Sequence, residues 1–119
     1  MRILVIEDDD AIAELVHLVL TDHGHSVTIA ANGLLGLEAV AANGPDLILL
    51  DMLMPRLDGW GFAAAYQERP GPHAPVVVMS AAADAARRAS EIHAQGVLPK
   101  PFGLDDLCAA IDQFDRSRR

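Results

Sequence analysis

Leu47-Ile48-Leu49-Leu50-Asp51 sets four consecutive aliphatic residues directly ahead of one carboxylate. A strand with one wet face alternates apolar and polar side chains. An unbroken apolar run instead predicts burial on both faces, as in a parallel sheet covered by helices on each side. Similar runs flank it at Ile3-Leu4-Val5-Ile6, Val27-Thr28-Ile29-Ala30 and Val76-Val77-Val78-Met79, with a weaker one at Gly96-Val97-Leu98.

Between the runs the apolar period becomes helical. Ile12, Leu15, Val16 and Val19 fall on one stripe, and Leu34, Leu37, Val40 and Ala41 on another. Gly24 and Gly44 stand where a left-handed helix stop favours glycine, and Pro45 and Pro75 come just ahead of the next strands. Further helices are predicted from Gly59 to Arg69, ahead of Pro70-Gly71-Pro72, from Ala82 to about Ala94, and from Leu104 to about Phe114. Asp105 and Asp106 put acids in the first turn of the last one, where the macrodipole favours them. Five rounds of strand then helix, with no linker, predict a single domain over residues 1–119. Its class is α/β, with a doubly wound five-stranded parallel sheet in the order 2-1-3-4-5 and helices on both faces.

Composition narrows the function. Apolar residues make up 51% and charged ones 22%, which supports a real core, but aromatics are only 4%. The formal net charge is −8. Nucleic-acid binding rests on a basic surface, and nine Lys plus Arg residues, with Lys100 the sole lysine, do not make one. The basic tail Arg116-Ser117-Arg118-Arg119 is too short to change this. Cys108 is the single cysteine and is read as a small packed side chain, compatible with a reducing cytoplasm. Neither a signal peptide nor an apolar run of membrane-spanning length is read, so no membrane partner is expected.

In doubly wound sheets the functional crevice lies beyond the carboxyl ends of the strands, near the reversal of strand order. The first strand ends in Glu7-Asp8-Asp9-Asp10, the third in Asp51, the fourth in Ser80, and the fifth is followed by Lys100. Singly, each has an ordinary reading. The acidic run could open a helix with Asp9 or Asp10 as N-cap, Asp51 or Ser80 could begin a turn, and Lys100 could be a solvated charge. Their conjunction carries the argument. Clustered carboxylates repel and call for a hard divalent cation, Mg²⁺ above all. A carboxylate can itself accept a phosphoryl group. The charge of that group needs neutralising from several sides, here a metal, the Lys100 ammonium and the Ser80 hydroxyl.

At these positions the chain resembles the receiver domains of two-component response regulators, over essentially its whole length. The matching stretches are Ile3-Leu4-Val5-Ile6-Glu7-Asp8-Asp9, Asp46-Leu47-Ile48-Leu49-Leu50-Asp51-Met52-Leu53-Met54-Pro55 with Asp58-Gly59, Val76-Val77-Val78-Met79-Ser80-Ala81, and Leu98-Pro99-Lys100-Pro101-Phe102. The resemblance implies a flavodoxin-like receiver fold with Asp51 as phosphoacceptor. It implies Mg²⁺ held by Asp8, Asp51 and the Leu53 backbone carbonyl, with Glu7 acting through water. Ser80 and Lys100 would contact the phosphoryl group, and the Lys100–Pro101 bond would be cis. It further implies a cytoplasmic signalling switch that is not a turnover enzyme. Its phosphoryl source would be a histidine kinase or phosphotransfer protein. Its output would pass through the helix 4–strand 5–helix 5 face to an output domain, a downstream protein or a homodimer partner. Whether the chain is a stand-alone regulator or part of a longer one is left open.

Two departures from the family stand out. Its usual switch aromatic on strand five falls here at Val97, which has no ring to rotate; Phe102 is only a loose substitute. Leu53 and Ala82 replace polar groups that often orient water, which predicts slow self-dephosphorylation. The scattered His17, His23, His25, His73 and His93 are read as surface residues, Trp60 as partial core, and Met52 and Met54 as packing.

Two other readings compete. A haloacid-dehalogenase-like phosphatase would need a carboxylate where Leu53 stands. A phosphorylation-independent interaction module on the same fold is kept open by Val97 and opposed by the intact Asp51, Lys100 and acidic pair. A P-loop enzyme lacks its glycine-lysine loop here. A flavin carrier lacks a hydroxyl-rich phosphate loop and covering aromatics.

Overall fold

The apolar runs pair into one sheet in the computed structural model, which describes residues 1–116. The basic-tail reading at 117–119 lies outside the described residues. The elements alternate as β1 (Arg2–Ile6), α1 (Asp10–Asp22), β2 (Ser26–Ala30), α2 (Gly33–Asn43), β3 (Leu47–Asp51) and α3 (Gly59–Glu68). They continue as β4 (Val76–Ala81), α4 (Ala82–Glu91), β5 (Gly96–Lys100) and α5 (Leu104–Arg116). Every pairing is parallel and the order is β2-β1-β3-β4-β5, as the sequence predicts.

Alternate residues of the central strands feed two separate cores. Ile3, Val5, Leu47, Leu49, Val77 and Met79 face Val16 and Leu20 of α1 and Leu107 and Ile111 of α5. Leu4, Ile6, Ile48, Leu50 and Val78 face Val40 of α2, Phe62 of α3 and Ala89 of α4. β1, β3 and β4 are thus buried on both faces. Full burial does not extend to β2, which ends the sheet and leaves Ile29 38% exposed.

The helical stripes also differ in detail from the prediction. On α1 the buried residues are Ala13, Val16 and Leu20, while Leu15 is exposed. On α2 they are Gly33, Gly36 and Val40, with Leu34 and Ala41 outside. On α2 small residues take inner positions where the helix lies close to its neighbours, Gly33 against Leu57 and Gly36 against Ile6. A Cβ on Gly36 would stand 2.6 Å from Ile6 Cδ1.

Helix ends follow local chemistry. Asp9, Asn32 and Asp58 cap α1, α2 and α3, each accepting a backbone N–H three residues on. Gly44 stops α2 in the left-handed conformation. α3 stops at Glu68 rather than Arg69, because Arg69 precedes Pro70 and takes extended backbone. α4 stops at Glu91, short of Ala94, with His93 at φ 56. α5 continues past Phe114 to Arg116. No helix among the described residues is long and apolar enough to cross a membrane.

Gly59 opens α3 against the end of β3, its N–H donating to Met52 O at 2.9 Å. A Cβ there would lie 2.7 Å from Met52 Cα and 3.0 Å from the Asp51 carbonyl, backbone atoms that cannot rotate aside. Gly59→Ala is therefore expected to destabilise the fold by about 1–3 kcal/mol in urea unfolding, overriding alanine's better helix propensity. Unchanged or raised stability would contradict this close approach.

Candidate functional site

Register alone brings the first two carboxylates together. Ile6 pairs with Leu50, so Glu7 and Asp51 leave β1 and β3 side by side. Asp51 pairs in turn with Met79, which places Ser80 one residue on, and Lys100 pairs with Ala81. All stand at the carboxyl edge of the sheet, around the β1–β3 junction where strand order reverses.

The side chains close the arrangement. Glu7, Asp51 and Ser80 are buried, at 2%, 7% and 3% exposure, while Asp8 is exposed. One carboxylate oxygen from each of Glu7, Asp8 and Asp51 lies within 4.8 Å of the others. Lys100 Nζ donates to Glu7 Oε1 at 2.6 Å and stands 3.6 Å from Asp51 Oδ1. Glu7 Oε2 accepts the Asp9 backbone N–H at 3.2 Å. Both Glu7 oxygens are thereby engaged, which suits a residue that seats Lys100 better than one bound directly to a cation. The acidic run divides its labour: Glu7 and Asp8 join the cluster, Asp9 caps α1, and Asp10 is its first helical residue.

These groups line one open cavity of about 430 Å³, together with Ile12, Leu53, Asp84 and Arg88. The Lys100–Pro101 bond is cis. Leu53 stands at the cavity with its side chain 59% exposed. A larger cleft of about 530 Å³ lies at the other end of the sheet, around Pro45, Tyr66, Arg69 and His73. There the Tyr66 hydroxyl accepts from Ala74 N–H and a His73 ring nitrogen meets the Tyr66 carbonyl.

Electrostatics set the cavity apart. Burial pushes the Asp51 carboxyl up to about 7, reinforced by the hydrogen bond and charge of Glu7 and opposed by the Lys100 charge. Burial would lower the Lys100 ammonium, but its hydrogen bond to Glu7 and the two carboxylate charges outweigh it and raise the net value. The Asp8 and Asp51 carboxylates, hard oxygen donors beside the negative charge of Glu7, fit Mg²⁺.

The sequence reading missed Arg88 and Asp84. Arg88 reaches back from the second turn of α4 and donates to Ser80 Oγ at 2.5 Å, while Asp84 pairs with it at 3.5 Å. The four-residue spacing of Asp84 and Arg88 was a signal for that ion pair. It did not show that the pair closes on Ser80. Among the other residues singled out, Met52 is buried and Met54 and Trp60 pack partly against the core, as expected. Phe102 packs beside α5, and Val97 is 40% exposed. Four histidines are exposed and His25 is half-buried; none joins a metal-like cluster among the described residues. Cys108 is only half-buried, with Sγ 3.6 Å from His23 Nε2, because it sits at the margin of α5 rather than in its core stripe.

The raised Asp51 value has a signed consequence. An acid whose folded value lies above its ordinary 3.8 favours the fold while protonated, and that contribution is lost as pH rises toward about 7. In metal-free buffer, Asp51→Asn should match wild-type stability near pH 4, gain on it up to about pH 7, and hold a constant advantage above. Urea unfolding across that range checks it. A constant difference from acid to neutral pH would contradict the shift.

Comparison with known proteins agrees with the geometry. The sequence profile of the response regulator receiver domain matches residues 3–112. The chain is 38% identical over 113 residues to response regulator MprA of Mycobacterium leprae (strain TN), covering 93% of this chain and 49% of that protein. It thus spans about half the length of the curated relatives it matches. Its fold superposes on the receiver domain of NtrX from Brucella abortus with a TM-score of 0.84 at 30% identity, over 94% of this chain and 96% of that one. The receiver domain of the Francisella response regulator 1452 gives 0.87 at 25% identity, over 99% and 98%. Nothing in these matches favours the phosphatase or the interaction-only reading. With a flavodoxin-like sheet, an acidic cluster facing one lysine and a profile match over nearly its full length, the chain belongs to the response regulator receiver domain family.

Proposed function

We propose that this receiver domain is a Mg²⁺-dependent phosphorylation switch in which Asp51 is the acceptor. The observation that carries the reading is the convergence of Glu7, Asp8 and Asp51 with Lys100 at the one strand junction where the fold places ligands. In the proposed step an Asp51 carboxylate oxygen bonds to phosphorus as the P–N bond of a phosphohistidine breaks. The electron pair of that bond returns to the imidazole. Histidine kinases and histidine phosphotransfer proteins are donors of this chemistry.

Asp8, Asp51 and the Leu53 backbone carbonyl would hold Mg²⁺. When bound, the ion supplies positive charge that offsets both the carboxylate cluster and the incoming phosphoryl oxygens. Lys100, already held by Glu7, neutralises charge from the opposite side. Ser80 donates its hydroxyl proton to a phosphoryl oxygen. Chemistry is confined to the chain's own Asp51, so no turnover of a separate substrate is assigned. The face formed by α4, β5 and α5 passes the signal to an output domain, a downstream protein or a second copy. The setting is cytoplasmic.

Two outcomes test this. Incubation with a small phosphodonor and Mg²⁺ should add one phosphoryl mass to the wild type, and Asp51→Asn should remain unlabelled. Equal labelling of both removes Asp51 from the role. Leu53 lines the cavity and Ala82 follows two residues after Ser80, and neither carries a group that could orient water, so the phosphorylated state should be long-lived. Leu53→Asn combined with Ala82→Glu should shorten it, with roughly 10²-fold as the lower end of what a positioned general acid–base group contributes. A lifetime unchanged by the pair would show that hydrolysis is governed elsewhere.

A further inference from the structure

Arg88 ties the phosphoryl seat to the outer surface of α3 and α4. Its guanidinium donates to buried Ser80 Oγ, pairs with Asp84 Oδ2 at 3.5 Å, and stacks 5.6 Å from the centre of the Trp60 ring. Trp60 Nε1 donates in turn to Glu91 Oε1 at 3.1 Å, so α3 and α4 are joined twice through one indole. The Arg88 side chain is only 14% exposed, and its Nε–H is buried with no acceptor. An arginine carries donors only, whereas a serine oxygen both donates and accepts. A buried arginine donor without a partner leaves the guanidinium with a hydrogen bond to gain by re-orienting.

The helix that carries Arg88 is held within its span by small side chains. Ala81, the N-cap of α4, supplies no side-chain cap, and the buried residues of the helix are Ala85 and Ala89. Neither makes the large contact of a leucine or phenylalanine. Ile92 packs into the core at the end of the helix, and the Arg88 contacts add a polar tie between α4 and Ser80. Val97 of β5 is a half-exposed valine with no polar atom, so it offers no competing connection to Ser80.

We infer that Arg88 is the positioning residue for Ser80 and the relay by which a phosphoryl group on Asp51 is sensed at Trp60. This rests on the assignment of Asp51 as acceptor. In the resting state Arg88 holds Ser80 Oγ from the α4 side. When Ser80 turns its oxygen toward a phosphoryl group, Arg88 loses that acceptor and keeps only Asp84 and the Trp60 face. The guanidinium re-orients, its stacking on Trp60 changes, and the α3–α4 surface changes with it. The signal leaves along a polar path on α4, where a ring on β5 is absent.

Trp60 is the only tryptophan, which makes its emission a direct readout. Emission is followed at constant Mg²⁺ before and after acetyl phosphate, and normalised to the fraction of labelled Asp51 from intact mass. The wild type should change emission on labelling. Arg88→Gln should lose the change per labelled molecule, and Arg88→Lys should restore part of it, keeping a cation near Asp84 and Trp60. Ser80→Ala, which deletes only the connecting oxygen, should also lose it and carries the test if Arg88→Gln does not fold. A full wild-type change per labelled molecule in Arg88→Gln or Ser80→Ala overturns the relay. So does a labelled wild type whose emission stays constant. A wild type that takes no label at Asp51 overturns the acceptor assignment instead, and the relay with it.

Discussion

Three carboxylates crowded against one ammonium are the constraint on which the structure turns. Glu7 and Asp51 are buried where water cannot fully screen them, and among the described residues only Lys100 pairs with them directly. Burial first, and then the hydrogen bond and charge of Glu7, push the Asp51 carboxyl up to about 7. Such a site costs stability when empty and gains it when a cation or protonation relieves the repulsion. That is a useful property in a switch, because the energy of the resting site is lowered by the groups that operate it.

The rest of the fold serves to hold those charges at fixed separation. Parallel pairing of β1 with β3 fixes Glu7 beside Asp51, and β4 and β5 bring Ser80 and Lys100 to the same rim. Gly59 lets α3 begin directly against Met52, and Asp58 caps that first turn. Two apolar layers, one under α1 and α5 and one under α2, α3 and α4, make the sheet a rigid platform. α4 is the exception. Its buried helical residues are the alanines Ala85 and Ala89, with Ile92 packing at its end, and Arg88 adds a polar tie from this helix to Ser80.

Much of this was legible in the sequence because a parallel sheet writes its buried strands as unbroken apolar runs. Leu47 to Leu50 reads that way, and the polar residue that ends each run is thereby placed at the functional edge. Asp51, Glu7, Ser80 and Lys100 all followed from that rule. What hydropathy could not show was which small residues lie innermost. Leu15 and Leu34 looked like core and are exposed, while Gly33 and Gly36 are buried, because close approach of α2 to Leu57 and Ile6 selects for size before apolarity. Arg88 was hidden for another reason. Its role depends on a long side chain turning back along α4 to a strand end eight residues earlier, which no periodicity records.

Magnesium binding measured by isothermal titration calorimetry tests the central claim most directly. If the carboxylates form one electrostatic seat, affinity should rise as pH passes about 7 and Asp51 gives up its proton. It should fall sharply in Asp8→Asn. Affinity that ignores pH across that range, and that survives the loss of Asp8, would contradict it.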